Sequence, residues 1–262
     1  MRSNVKLVST GRNPLTFILI GPTGVSVDSW RRARIRWGTS EASVQSASQA
    51  GSCFLDLHRL GLGLEEGRVL GHGANVLAVV DQLALRQPVL VGQSLGGRTA
   101  MLTAAAHPGL VRARVLIEAG PGGPNPNVPV DIGGWLDSWP TPFPSREAAA
   151  TFLGGGPVGA GWAAGLEERE GGWWPRFDRD VMVRSLAENA QRSFRHECGQ
   201  VACPTLVVLA QSSFIPAQEA DEMLRQRPAT TAMSIPGTGH DLHLEQPETT
   251  HTALSDFLEG LA

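Results

Sequence analysis

The sharpest constraint on this chain is the run Gly92-Gln93-Ser94-Leu95-Gly96, set between two segments of different periodicity. Before it, Pro88-Val89-Leu90-Val91 is short, apolar and β-branched, the pattern of a buried strand. After it, residues 97–107 carry Ala100, Met101, Leu102, Ala104 and Ala105, the pattern of a packed helix. A serine at such a corner is held in a strained backbone conformation with its hydroxyl clear of the sheet. Glycines two residues to either side let the backbone come close to its neighbours. The N–H of Leu95, at the head of the helix, then points where an oxyanion would form. Ser94 is therefore the expected nucleophile; the alternative is a turn serine with a structural role.

Strand and helix signals alternate along most of the 262 residues. That alternation argues for a single α/β core, a mostly parallel central sheet with helices on both faces. Strands are expected at residues 5–9, 17–20, 53–56, 88–91, 113–118, 204–209 and 232–235, and helices at 74–85, 97–107, 217–225 and 245–261. Residues 39–50, rich in Ser, Ala and Gln, read as a mobile loop. The alternation lapses over residues 119–195, where Gly and Pro crowd 120–144 and Trp135, Trp139, Trp162, Trp173 and Trp174 appear. Trp173-Trp174, then Phe177 and a helical stretch at 181–190, make this segment too apolar for a linker. The expectation is an α/β core over 1–118 and 196–262, interrupted by a folded cap over 119–195.

Near the C-terminus, Ile235-Pro236-Gly237-Thr238-Gly239-His240-Asp241-Leu242-His243 is a glycine-rich loop that carries a histidine and opens a helix. An elbow serine followed far downstream by such a histidine resembles the α/β-hydrolase-fold serine hydrolases of the esterase and lactonase type. The resemblance runs from about Phe17 to the C-terminus and is weakest between Gly38 and Ser52. It implies that His240 is the catalytic base and that the cap lies at the carboxyl ends of the strands. His243 is the neighbouring alternative, read as a helix-start or pocket-wall histidine.

Such a pair needs a carboxylate to fix the histidine tautomer and stabilise the imidazolium. In most of the family it follows the strand after the cap. Here that turn, Leu209-Ala210-Gln211-Ser212-Ser213-Phe214-Ile215-Pro216, holds no Asp or Glu. Glu118, closing the Val115-Leu116-Ile117 strand, is the expected acid instead, an arrangement similar to that of the haloalkane dehalogenases. With serine as nucleophile, dehalogenase and epoxide-hydrolase chemistry is not implied. Glu118 as an anchor for loop 119–122, Ser213 acting through water, Asp56, and a dyad without an acid stay open. In the loop Gly21-Pro22-Thr23-Gly24, Pro22 has no N–H, so Thr23 is the expected partner of Leu95 in the oxyanion hole.

The resemblance thus implies a cofactor-independent serine hydrolase, and free thiols suit a reducing cytoplasm as its location. It would cleave a carboxylic ester, lactone or thioester of a small to medium, apolar substrate through an acyl-enzyme. Gln93, Trp135, Trp139, Trp173 and Trp174 are expected to line the substrate site. Carbon–carbon bond hydrolysis, acyl transfer, and ligand binding without turnover are the rivals. A net charge of -3 gives no reason to expect nucleic acid or an anionic membrane as partner, leaving a small-molecule substrate and a monomer or homodimer. The cluster Arg31-Arg32-Ala33-Arg34-Ile35-Arg36 reads as a solvated helix face, with an anion site as the alternative. With Lys6 the only lysine and no tyrosine, mechanisms that need a tyrosine acid or a second lysine are excluded. Cys53, Cys198 and Cys203 lack metal-ligand spacing and read as free thiols, a Cys198–Cys203 bridge being the alternative. Residues 1–14 are polar, without the apolar core of a signal peptide, and no segment has the length and hydropathy of a membrane span.

Overall fold

Val89, Leu90, Val91, Val115, Leu116 and Ile117 are all buried, so neighbouring residues of the same strand face apolar surroundings on opposite sides. A strand buried on both faces belongs in the middle of a three-layer structure. The computed structural model describes residues 7–8, 17–21, 41–42, 52–56 and 69–261, apart from 228. In chain order the first half of the core comprises β1 (Leu7–Val8), β2 (Phe17–Gly21), β3 (Glu41–Ala42), β4 (Ser52–Asp56), α1 (Val69–Gln82), β5 (Val89–Gln93), α2 (Leu95–Ala106) and β6 (Ala113–Ile117). An insert follows: α3 (Asn127–Asp137), α4 (Arg146–Phe152), α5 (Gly156–Ala164), β7 (Glu167–Arg169), β8 (Gly172–Trp174) and α6 (Arg179–Asn189). The core resumes with α7 (Arg195–Gln200), β9 (Thr205–Ala210), α8 (Ala217–Gln226), β10 (Thr230–Ile235), α9 (Leu242–Glu245) and α10 (Pro247–Glu259).

The eight-stranded sheet has the order β10-β9-β6-β5-β2-β4-β1-β3. Every pairing from β10 through β4 is parallel, and β1 pairs antiparallel with both β4 and β3. Leu90, Leu116 and Val207 face a cluster with Val76, Val80 and Met101, from α1 and α2. Val89, Val91, Val115 and Val208 face the other layer, with Leu254 and Leu258 of α10. Each such side chain removed from water stabilises the fold by about 1.5–3 kcal/mol. The doubly covered parallel sheet is the α/β architecture expected from the alternating pattern.

Three local expectations need correcting. The first helix begins at Val69, not Ala74; Gly71 and Gly73 lower its local propensity, but the apolar stripe Val76, Val79, Val80 and Leu83 packs into the core and carries the helix. The expected helix at 245–261 breaks at Gln246, because Pro247 lacks an N–H and can open α10 but cannot extend α9. Within 39–50, Glu41–Ala42 is not loop but a strand paired with β1. Cys198 and Cys203 are free thiols, so the bridge is not formed. The side chains of Cys53 and Asp56, together with Thr23 and Arg31–Arg36, lie outside the described residues. Among the described residues, no helix is long and apolar enough to cross a membrane.

The insert has an apolar cluster of its own, built on Leu136, Trp139, Phe143, Leu166, Phe177 and Met182. Its outgoing and returning legs are joined: Asn125 N–H donates to the Ala190 carbonyl, and Phe194 N–H to the Pro121 carbonyl, both at 2.9 Å. Arg98 of α2 clamps the same junction, donating from Nε to the Gly120 carbonyl and from Nη1 to the Asn189 carbonyl. Burial pushes the Arg98 guanidinium pKa down, and Glu219 opposes that. The Glu219 carboxylate in turn accepts the Gly122 N–H at 2.8 Å.

Candidate active site

β5 ends at Gln93, and the chain turns into α2 through Ser94, which has φ 51° and ψ -120°. That left-handed conformation costs a non-glycine residue about 1–3 kcal/mol. It is held by Ser94 N–H donating to the Ile117 carbonyl at 2.9 Å and Arg98 N–H to the Ser94 carbonyl at 3.1 Å. Gly92 and Gly97 make the turn sterically accessible, since a side chain on either would strike backbone or Ala119. Leu95 is the first residue of α2, so its N–H is among those a helix leaves without an internal acceptor.

One strand over, Glu118 follows β6 in the same unusual region, with φ 47°. Its N–H donates to the Val208 carbonyl at 2.9 Å, and its Oε1 accepts the Ala210 N–H at 2.7 Å. The side chain therefore crosses to the end of β9, the strand whose following turn lacks an acid. Its other oxygen, Oε2, lies 3.6 Å from Nδ1 of His240. Both atoms are buried and have no hydrogen-bond partner among the described residues. A closure of roughly 0.7 Å would make that bond, and such contacts are often long before substrate binds. Loop 119–122 is anchored by Arg98 and Glu219, leaving the Glu118 carboxylate to Ala210 and His240.

The turn after β9 supports the histidine loop by other means. Gln211 Oε1 accepts the Gly237 N–H at 2.6 Å, and Ser212 N–H donates to the Thr238 carbonyl at 3.0 Å. Ser213 Oγ accepts the Ile215 N–H and so closes its own turn. Phe214 lies edge-on to His240, centroids 4.8 Å apart, and is 63% exposed.

The five residues expected against substrate separate by environment. Gln93 is fully buried, and its Nε2 donates to the His240 carbonyl at 2.8 Å and to Asp241 Oδ1 at 3.3 Å. Trp139 is packed into the insert's cluster. Trp173 exchanges backbone hydrogen bonds with Phe143 and lies beneath the Arg146 guanidinium at 4.2 Å. Trp174 donates its indole N–H to the Glu170 carbonyl. Trp135 remains 39% exposed, edge-to-face with Trp139 and Trp162. Two residues that sequence reasoning did not assign, Asp241 and Trp162, join this group: Trp162 Nε1 donates to Asp241 Oδ2 at 3.0 Å. The aspartate beside His240 was the available signal, but its partner lies 79 residues away.

His243, in the first turn of α9, is completely buried. Burial lowers its pKa from 6.5 to about 4, with Asp241 opposing and His240 reinforcing the shift. The unfolded chain therefore takes up a proton near pH 6.5 that the fold refuses until about pH 4. Stability from this residue is complete above pH 6.5 and declines as pH falls towards 4. Urea unfolding at pH 7 and pH 5 should show a loss that is smaller in His243→Gln; equal losses in both proteins would assign the slope to carboxylates.

An alpha/beta hydrolase family profile matches residues 21–253. The chain belongs to the alpha/beta hydrolase family. It is 29% identical over 203 residues to a putative esterase/lipase of Haemophilus influenzae (strain ATCC 51907 / DSM 11121 / KW20 / Rd), a match covering 70% of this chain and 64% of the relative. The chain thus spans under two thirds of that relative's length. Among solved structures, E-2-(acetamidomethylene)succinate hydrolase superposes with a TM-score of 0.80 at 20% identity, over 97% of this chain and 95% of the other. A marine microorganism esterase gives 0.74 at 18% identity, over 97% and 98%. These superpositions show that this alpha/beta hydrolase shares their fold. Among the described residues no cluster of three or more His, Cys, Asp or Glu is arranged to hold a metal ion.

Proposed function

We propose that this alpha/beta hydrolase is a serine esterase acting on a carboxylic ester, lactone or thioester of small to medium size. The observation that carries the reading is the buried Glu118 carboxylate aimed at His240 Nδ1 beside a strained serine elbow. In this mechanism Ser94 Oγ attacks the acyl carbon while its proton passes to His240 Nε2. The oxyanion is met by the N–H of Leu95, with the N–H of Thr23 the second donor expected from the sequence. Collapse breaks the bond to the leaving group, which departs with the proton from His240, and the acyl group stays on Ser94 as an ester. Water then attacks that ester, His240 takes the water's proton and returns it to Ser94, and the acid is released. Glu118 fixes the proton on Nδ1 and stabilises the imidazolium.

The exposed rings of Phe214 and Trp135 support an apolar substrate. Phe214 lies against the residue that protonates the leaving group, which favours an apolar alcohol or thiol part. Trp139, Trp162 and Trp173 pack into the insert's own cluster, and the insert acts as a cap over the site.

The reading is tested with a fluorophosphonate, intact mass and peptide mapping. One adduct on Ser94, absent in Ser94→Ala, together with p-nitrophenyl ester turnover that Ser94→Ala lowers by roughly 10⁴-fold or more, is the expected result. A folded protein that gives no adduct, yet is thermally stabilised by ester analogues, would favour a binding protein without turnover.

A further inference from the structure

Asp241 is 9% exposed and carries a carboxylate, yet among the described residues no arginine or lysine forms an ion pair with it. Each of its two oxygens is met by a neutral donor. Gln93 reaches Oδ1 from the residue before the elbow serine, and Trp162 reaches Oδ2 from α5 of the insert. The same Gln93 amide holds the His240 carbonyl. Asp241 is thus the point at which the nucleophile strand, the histidine loop and the insert meet.

We infer that Asp241 is a positioning residue that ties the setting of His240 to the seating of the insert through the Trp162 indole N–H. The inference rests on reading His240 as the base. A buried carboxylate is tolerated only while its oxygens keep their donors. When α5 shifts and Trp162 withdraws, Oδ2 is left buried without a partner. The carboxylate relieves that by turning, and the adjoining peptide carries His240 with it. The gap between His240 Nδ1 and Glu118 Oε2 is already long, so a small rotation separates the base from its acid.

The insert end of this link is built to register a ligand. Trp162 stands edge-to-face with the partly exposed Trp135 at 5.4 Å and with the buried Trp139 at 6.1 Å. Leu244 of α9 occupies the space that a side chain on Gly161 would need, so α5 lies close against the helix that follows the histidine loop. A substrate resting on Trp135 bears on the ring that holds Asp241. Occupancy of the apolar site and readiness of the base become one event.

The test is Trp162→Phe, which keeps an aromatic ring and removes the donor. It is compared with Asp241→Asn and the double variant by fluorophosphonate labelling rate, kcat and KM on p-nitrophenyl acetate, and thermal melting. The expected result is a loss in kcat and labelling rate of between roughly tenfold and a hundredfold, with KM near that of the wild type and Tm lower by a few degrees because Oδ2 loses its donor. Asp241→Asn alone is slow, because its amide N–H faces either the indole N–H or Gln93. In the double variant the charge and the clash with the indole are both gone, so it is faster than the product of the single effects requires. Wild-type rates in Trp162→Phe, or losses that multiply independently, would overturn the inference. If Trp162→Phe fails to fold, Asp241→Asn decides: wild-type kcat in that variant overturns the link. A wild-type protein that takes no label at Ser94 defeats the serine-hydrolase reading itself, and this inference with it.

Discussion

Glu118→Gln should lower kcat by roughly 10³- to 10⁴-fold on any ester that the wild type turns over, equivalent to about 4–5.5 kcal/mol of barrier. The side chain has two fixed neighbours, the Ala210 N–H on Oε1 and His240 Nδ1 beyond Oε2. A carboxylate accepts from both; a carboxamide cannot. With its NH₂ towards His240 it donates to Nδ1 and fixes the imidazole proton on Nε2, the tautomer unable to take a proton from Ser94. Flipped, it sets NH₂ against the Ala210 N–H in a buried site, which costs about 1–3 kcal/mol of stability. Shape and volume are otherwise unchanged. The measurement is kcat alongside thermal melting. Turnover within a few-fold of wild type in a folded variant would remove Glu118 from the triad and move the acid elsewhere, with Asp56 or a dyad without an acid as the alternatives.

The largest expected effect on stability belongs to Gly92→Ala. A Cβ at this position would lie 2.4 Å from both C and O of Gly96 and 2.5 Å from the Gly97 nitrogen. All three are backbone atoms of the turn, so no side-chain rotation relieves the contact. Either α2 moves off the sheet or β5 is displaced between its two neighbours. Overpacking of this kind costs about 3 kcal/mol or more. At roughly 2–4 °C per kcal/mol for a chain of this length, that lowers Tm by about 10 °C or prevents soluble expression. Gly134→Ala is the control: it lies in α3 with nothing within 4 Å of the new methyl group, and should leave Tm unchanged or raise it. Equal melting of Gly92→Ala and wild type would mean that the elbow is looser than its contacts indicate.

How legible each part was depends on how far apart its partners lie in the chain. Ser94 could be read because a strand, two flanking glycines and a helix occupy consecutive residues and fix its conformation locally. Glu118 was partly legible as the acid that ends a strand. Its positive φ and its reach to Ala210 were not, because both follow from the pairing of β6 with β9, which no local pattern specifies. The bonds from Gln93 to His240 and Asp241 span 147 and 148 residues, so an amide expected against substrate is instead committed to the histidine loop. The tryptophans were visible as a compositional change, but composition does not distinguish the packed Trp139 from the half-open Trp135. The break at Pro247 was present in the sequence, where the apolar spacing of the terminal helix ran straight through it.

The paired legs at residues 121–125 and 190–194 give the molecule the character of a cassette holder. The entry and exit of the insert are pinned together by backbone bonds and by Arg98, so the chain between them closes on itself before reaching the sheet. Lengthening, shortening or replacing the stretch beyond that clasp exerts no pull on β6 or on the carboxylate at its end. The segment between those legs can therefore be exchanged without breaking the backbone path from β6 to α7. The contact to preserve across such a graft is the Trp162 indole, which reaches back to Asp241.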